Sequence, residues 1–371
     1  MKRVYLDNNA TTQVDYEVVS CMQEVLLSAP LNPSSTHSFG QEAKHHLTRS
    51  RDLIAKFLHV QPKEIIFTSG GTEALNSLIQ GFYALDPECH IISSNGEHPA
   101  VQNTLIHLQK KGAKVSFLPI GRKGSVEPHA VQEAITPHTR LIVLMAVNNI
   151  TGVKTDIDQI AVIAEKNTIP FIVDGVQILG KELFKIPKGV SAMAFSSHKI
   201  HGPQGVGACF LRSSYKIPPL IIGGGQELGR RSGTENIAGI VGFAKAIDLL
   251  HTHLPLATEK MERLKQKLIL GIRSFFPQLI IHGEGPFICN TVQLGFPSFD
   301  GETLLLQLDL AGIAVSHGSA CTSGGLEPSP ILLNMGVPPS LARASLRFSL
   351  SRFTTEEEID QTLLALASFI Q

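Results

Sequence analysis

From about residue 63 the chain alternates short apolar runs with segments of helical period, and that alternation leaves few folds open. "EIIFTSGGTEALNSLIQGF" reads as a strand, a Gly-rich turn and a helix, with Ala74, Leu75, Leu78, Ile79 and Phe82 on one helical face. "HIISSNGEHPAVQNTLIHLQKKG" repeats the plan, with Val101, Leu105 and Leu108 inward and a glycine stop at Gly112. The strand-like runs "RLIVLMAVNN", "IPFIVDG", "AMAFSSHK" and "GACFL" follow. Apolar runs joined by helices predict an α/β fold, a mainly parallel sheet with helices on both faces.

After about residue 250 the character changes. "LATEKMERLKQKLILGIRSFF" is a long amphipathic segment. "ASLRFSLS" alternates, with Leu346, Phe348 and Leu350 on one face and Ser345, Arg347 and Ser349 on the other. "TEEEIDQTLLALASFI" opens with Thr355 and Glu358 at capping-box spacing, and Ile359, Leu363, Leu366 and Ile370 form one stripe. The expected organisation is a large domain over residues 14–250 and a smaller α+β domain over residues 251–371. The short arm 1–13 joins the smaller domain.

Bulk properties narrow the function classes. Lys plus Arg and Asp plus Glu both number 32, and no basic run stands out, so nothing pulls the chain toward nucleic acid or an anionic membrane. The start, "MKRVYLDNNATT", lacks an apolar signal-peptide core, and the apolar runs are strand-sized, so the expected location is cytoplasmic. Five widely spaced cysteines, without a C-x-x-C pair or a Cys/His cluster, suggest neither a disulfide framework nor a metal site.

Parallel sheets bind ligands at the carboxyl ends of their strands. Asn149, Asp174 and Lys199 each follow an apolar run, at intervals of 25 residues. If those strands are neighbours, the three side chains meet on one rim. A carboxylate directly after "FIV" is costly unless it meets a cation or donors, although an aspartate there also serves as a helix cap. Gln177 lies three residues further on. "TSGGTE", between a strand and a helix, offers backbone N–H groups to an anion but is not a Walker loop, and "GPQGVG" fails as a dinucleotide fingerprint. His98 opens the next helix. One phosphate cradle, one aspartate and one lysine are what pyridoxal phosphate requires: a lysine to form a Schiff base, and a carboxylate to keep the pyridinium nitrogen protonated.

Taken with "YLDNNATT", "NPSSTHSFG", "EHPAV", "VNNITG", "VDGVQ", "SSHKIHGPQGVGA", "GGGQELGRRSGTEN", "GSACTSGGLEPSPIL" and "LRFSLSRFTTEEEID", these residues make the chain resemble a known family almost end to end. It is similar to the NifS/IscS-like cysteine desulfurases, in the class V aminotransferase family of fold-type I pyridoxal phosphate enzymes. The resemblance implies Lys199 as the Schiff-base lysine, His98 as ring-stacking acid/base and Asp174 on the pyridinium nitrogen. It implies Gln177 on the phenolic oxygen and Asn149 beside cofactor and substrate. Thr72, Ser196 and His198 would hold the phosphate, and Thr234 would reach the phosphate of a partner subunit in a homodimer. Arg347 would bind the carboxylate of L-cysteine. Cys321, in a small, polar, Gly-rich loop, would attack the substrate sulfur and keep it as a persulfide, releasing alanine. The sulfur would pass to an acceptor such as an iron–sulfur scaffold protein, or serve thiolation.

Three departures from the family pattern stand out: Ile150 where a glutamate is usual, Gly71 for alanine and Leu228 for arginine. The first takes a carboxylate from the expected neighbourhood of the cofactor. The alternatives are a selenocysteine lyase, another class V enzyme, or a weakly active sulfur-relay partner.

Overall fold

A computed structural model gives the fold and describes residues 3–317 and 327–370. The N-terminal arm contributes strand β1 (Val4–Tyr5) and leads into helices α1 (Tyr16–Leu27) and α2 (Ser38–Leu58). There follow β2 (Ile65–Thr68), α3 (Gly71–Tyr83), β3 (His90–Ser94), α4 (Pro99–Gln109), β4 (Lys114–Leu118), α5 (Pro128–Ala134), β5 (Thr139–Met145), α6 (Ile157–Lys166), β6 (Phe171–Asp174), β7 (Ala192–Ser196) and β8 (Gly207–Leu211). Strands β2 to β8 form one seven-stranded sheet in the order β2-β8-β7-β6-β5-β3-β4. Only β8 runs against its neighbours; β7, β6, β5, β3 and β4 are parallel.

Alternation along these strands sorts the core into two layers. Ile66, Ile91, Leu141, Val143, Ile172 and Cys209 pack with α3 and α4 on one face. Ile65, Ile92, Ile142, Phe171, Phe195 and Phe210 join a larger cluster with residues of α2, α6 and the long helix α7 (Ile237–Phe275) on the other. Apart from the edge strand β4, the strands are buried on both sides, which is why the sequence shows continuous apolar runs there.

Helix α7 crosses the expected boundary at residue 250 without a break. Residues from Ile240 to Leu254 pack on the large core, and Ala257 to Ile272 on a second core. The change falls at Pro255, inside the helix. Part of α7 is long and apolar enough to cross a membrane, but 67% of that stretch is buried, so its hydrophobicity is used in the core. The second core is built on β9 (Ile280–Ile281), β10 (Thr291–Gly295), β11 (Ile313–Ala314), β12 (Ser345–Ser349) and the C-terminal helix Glu356–Ile370. There β12, β10 and β9 form an antiparallel sheet, while β1 pairs with β11 in parallel. The C-terminal helix has its capping box: Thr355 N–H donates to Glu358 Oε2 at 3.0 Å, and Glu358 N–H to Thr355 Oγ1 at 3.3 Å. Both faces of β12 are buried, so the polar face carrying Arg347 is an interior one.

Candidate active site

Strands β5, β6 and β7 are adjacent and parallel, so the segments that follow them open on one rim. A cavity of about 250 Å³ lies there, close to the roughly 300 Å³ at which small-molecule sites begin. Its walls bring together Thr72, His98, Asn149, Asp174, Gln177, Ser196, His198, Lys199 and Arg347. Thr234 is exposed and not part of this wall, and Cys321 lies outside the described residues.

Lys199 closes a single 3₁₀ turn after β7. Its Nζ donates to Asn9 O at 2.5 Å and Ala10 O at 2.8 Å, both in the N-terminal arm. Asp174 ends β6 and is 6% exposed; its Oδ1 accepts from Val176 N–H at 3.0 Å. Burial pushes this carboxyl up, opposed by the nearby His98 and Lys199 charges. His98 caps α4, with Nδ1 accepting from Ala100 N–H at 3.1 Å. That bond assigns the ring proton to Nε2. Burial also lowers the basicity of His98, with Asp174 opposing and Lys199 adding to it, so the ring is held toward neutrality. His198 is pushed down to about 4 by burial and by the Lys199 and Lys181 charges, and its Nδ1 lies 3.0 Å from Thr11 Oγ1. It stands on the cavity wall as a neutral hydrogen-bonding group.

The first turn of α3 supplies N–H groups without intrahelical partners at this rim. Its loop lies flat on the sheet because Gly207 lacks a Cβ, which would stand 2.7 Å from Gly70 Cα. Glu73 binds Arg231 at 2.8 Å and fixes the loop that carries Thr234 to this helix. The same loop has Glu227 and Leu228 left-handed, at φ 49° and 59°. Glu227, 4% exposed, offsets that strain by binding Arg51 at 2.5 and 2.8 Å and Phe67 N–H at 2.8 Å. Leu228 itself is 75% exposed.

Two departures acquire a physical reading. Ile150 is fully buried in the large apolar core and does not line the cavity, so the missing carboxylate leaves no gap in the wall. At Gly71 a Cβ would stand 2.7 Å from Val176 Cγ2, so valine fills the space an alanine would use. We expect Gly71→Ala to cost about 1–3 kcal/mol in overpacking, and Val176→Ala in the same chain to recover most of it. Thermal unfolding of the two single variants and the double variant checks this; equal losses that simply add would dismiss the coupling.

Several site residues were not singled out from the sequence. Asn9 accepts from Lys199 and, at 3.2 Å, from Gln177 Nε2, while its own Nδ2 donates to Asn149 O at 3.1 Å. Asp7 pairs with Arg347 at 2.5 Å, and Arg347 Nη1 donates to Asn149 O at 2.9 Å. Glu97, 2% exposed, accepts from Ser94 Oγ at 2.5 Å; burial, with the Asp174 charge adding, pushes it up to about 8, so it carries a proton at neutral pH. The signal available was the polar run "DNN" ahead of any element that needs it.

Residues 4–362 match the family model described as aminotransferase class-V. The chain belongs to that family. It is 40% identical to cysteine desulfurase 2 of Trichormus variabilis over 374 residues, covering all of this chain and 94% of that protein. A solved structure of a NifS-like protein superposes with a TM-score of 0.93 at 36% identity, covering 99% of both chains. A structure titled as SspA in complex with cysteine superposes at 0.84 and 29% identity, covering 95% of this chain and all of that one. The fold is that of the fold-type I pyridoxal phosphate enzymes in class V, as the sequence led us to expect. The cavity wall fits that cofactor: an amine, a buried carboxylate, a neutral imidazole and a helix N-terminus converge, and the buried Gln177 Oε1 has no partner among the described residues.

Proposed function

We propose that this protein is a pyridoxal-phosphate-dependent cysteine desulfurase that converts L-cysteine to L-alanine and carries the sulfur away on Cys321. The observation behind this reading is the convergence of Lys199, Asp174 and His98 on one rim, in a chain whose relatives bear that name along its whole length. When bound, the cofactor supplies an aldehyde to carry the amino acid and an electron sink to hold its displaced electron pairs.

Lys199 would hold the cofactor aldehyde, and its amine, when free, would serve as the base for the substrate α-proton. Asp174 would pair with the pyridinium nitrogen, whose positive charge would favour the ionised carboxylate. His98 would stack on the ring and serve proton transfer through Nε2, since Nδ1 is tied to Ala100. Gln177 would reach the phenolic oxygen, and Asn149 would lie by the cofactor. Thr72, Ser196 and His198 would take the phosphate. Arg347, on the cavity wall, would bind the substrate carboxylate, while Asp7 and Asn149 O hold its guanidinium in place. The Cys321 thiolate attacks the substrate sulfur. An S–S bond forms, the Cβ–S bond breaks with its electron pair going to carbon, and that carbon takes a proton to become the alanine methyl. The enzyme is left as a persulfide.

We place the enzyme in the cytoplasm, as a homodimer in which Thr234 of each copy completes the phosphate site of the other. The exposed Ile222 and Leu228, on the same loop, support that interface. The persulfide is handed to an acceptor protein such as an iron–sulfur scaffold. On addition of L-cysteine with a reductant, the purified protein should release alanine and sulfide in equal amounts. A coloured protein that releases neither would overturn the reaction while leaving the cofactor in place.

A further inference from the structure

Behind the active-site rim lies a second buried amine. Lys181 is 4% exposed, yet among the described residues no carboxylate pairs with it. Glu182, the next residue, binds Lys154 at 3.0 Å instead. Lys181 Nζ donates to the main-chain carbonyl of Lys199 at 2.7 Å. Its own main chain is fixed from the far side: Thr258 Oγ1 lies 2.8 Å and Cys289 Sγ 3.2 Å from Lys181 O. A cavity of about 20 Å³, room for a single water, is lined by Lys181, Lys199, His201, His253 and Arg352.

A bare ammonium is expensive to bury, and a surplus amine behind a catalytic lysine has no packing value that methionine would not give. Among the described residues no carboxylate pairs with it, and Asp15 is bound to Arg352. His198, His201 and Arg352 face it besides Lys199, and the Cys289 thiol is pushed up to about 12 by burial, so it stays neutral. Burial, with the Lys199 charge adding, brings Lys181 down to about 7. Coupling between two charges is reciprocal, so whatever Lys199 does to Lys181, Lys181 does to Lys199.

Resting on the assignment of Lys199 as the cofactor-binding lysine, we propose that Lys181 is a positioning residue for it. Lys181 holds the carbonyl of the residue whose side chain must swing between cofactor and substrate. The two nitrogens also share one positive charge, so that Lys199 sheds its proton more readily than it would alone.

The test is an absorbance titration of the cofactor-loaded protein between pH 6 and 10, without substrate. In Lys181→Met the midpoint for loss of the proton on the Lys199 adduct should rise by roughly one pH unit, a tenfold gain in proton affinity of the size expected for one neighbouring charge. Thr258→Val removes a bond to the same residue's main chain but keeps the amine. It should titrate as wild type even if it melts earlier. A Lys181→Met midpoint equal to wild type, or the same rise in Thr258→Val, overturns the proposal. If Lys181→Met does not retain cofactor, Lys181→Arg decides: a permanent cation keeps the midpoint at or below wild type, and a rise above it overturns the idea. Failure of the underlying assignment would look different, because Lys199→Ala would then show the same titration as wild type.

Discussion

Lys199→Ala will bind pyridoxal phosphate without forming a covalent adduct, and borohydride treatment will leave no cofactor mass on the chain. In the wild type the same treatment will fix that mass on Lys199. Among the described residues lining the cavity, Lys199 is the lysine; Lys181 sits behind it and is not part of the wall. The Lys199 Nζ rests on two carbonyls of the N-terminal arm, at 2.5 and 2.8 Å, which a released amine can occupy while substrate holds the cofactor. Losing the base alone should slow alanine formation by roughly 10²–10⁴-fold, and losing the covalent hold on the cofactor adds to it. A variant still trapped by borohydride would remove Lys199 from the centre of the site.

How far the sequence could see follows from the range of the interactions involved. Asn149, Asp174 and Lys199 were legible because each depends on one strand end, and equal spacing brings strand ends to one rim once β5, β6 and β7 are neighbours. The capping box at Thr355 and the apolar stripes are equally local. What the sequence did not single out is long-range. Asp7 meets Arg347 across 340 positions, and Asn9 reaches Lys199 across 190. No periodicity reports such closures. Lys181, in "LGKELF", is a further case: only the fold buries it behind Lys199. Ile150 runs the other way. A substitution that looked like a lost carboxylate is a core side chain whose N–H is held by Asn148 Oδ1 at 2.9 Å.

Cys321→Ala will keep the colour of the loaded protein and lose sulfide release, by about 10³-fold or more if the thiol acts as an obligatory nucleophile. The other cysteines offer no substitute. Cys209 and Cys289 are buried, and burial pushes both up to about 12, so neither presents a thiolate near neutral pH. Cys89 is also buried with its thiol pushed up by desolvation, and Cys21 lines a separate cleft with Glu24, Arg49 and Lys245. None of the four borders the active-site cavity. Adding L-cysteine should still change the absorbance of the variant, because in the proposed mechanism substrate binding and α-proton removal rest on Arg347 and Lys199 rather than on the thiol. Two measurements therefore separate the steps: the spectral response reports binding, and the sulfide assay reports sulfur transfer. A Cys321→Ala protein that responds and also releases sulfide at the wild-type rate would make the thiol dispensable. The enzyme would then have to expel sulfur directly to solvent, without a persulfide on the chain.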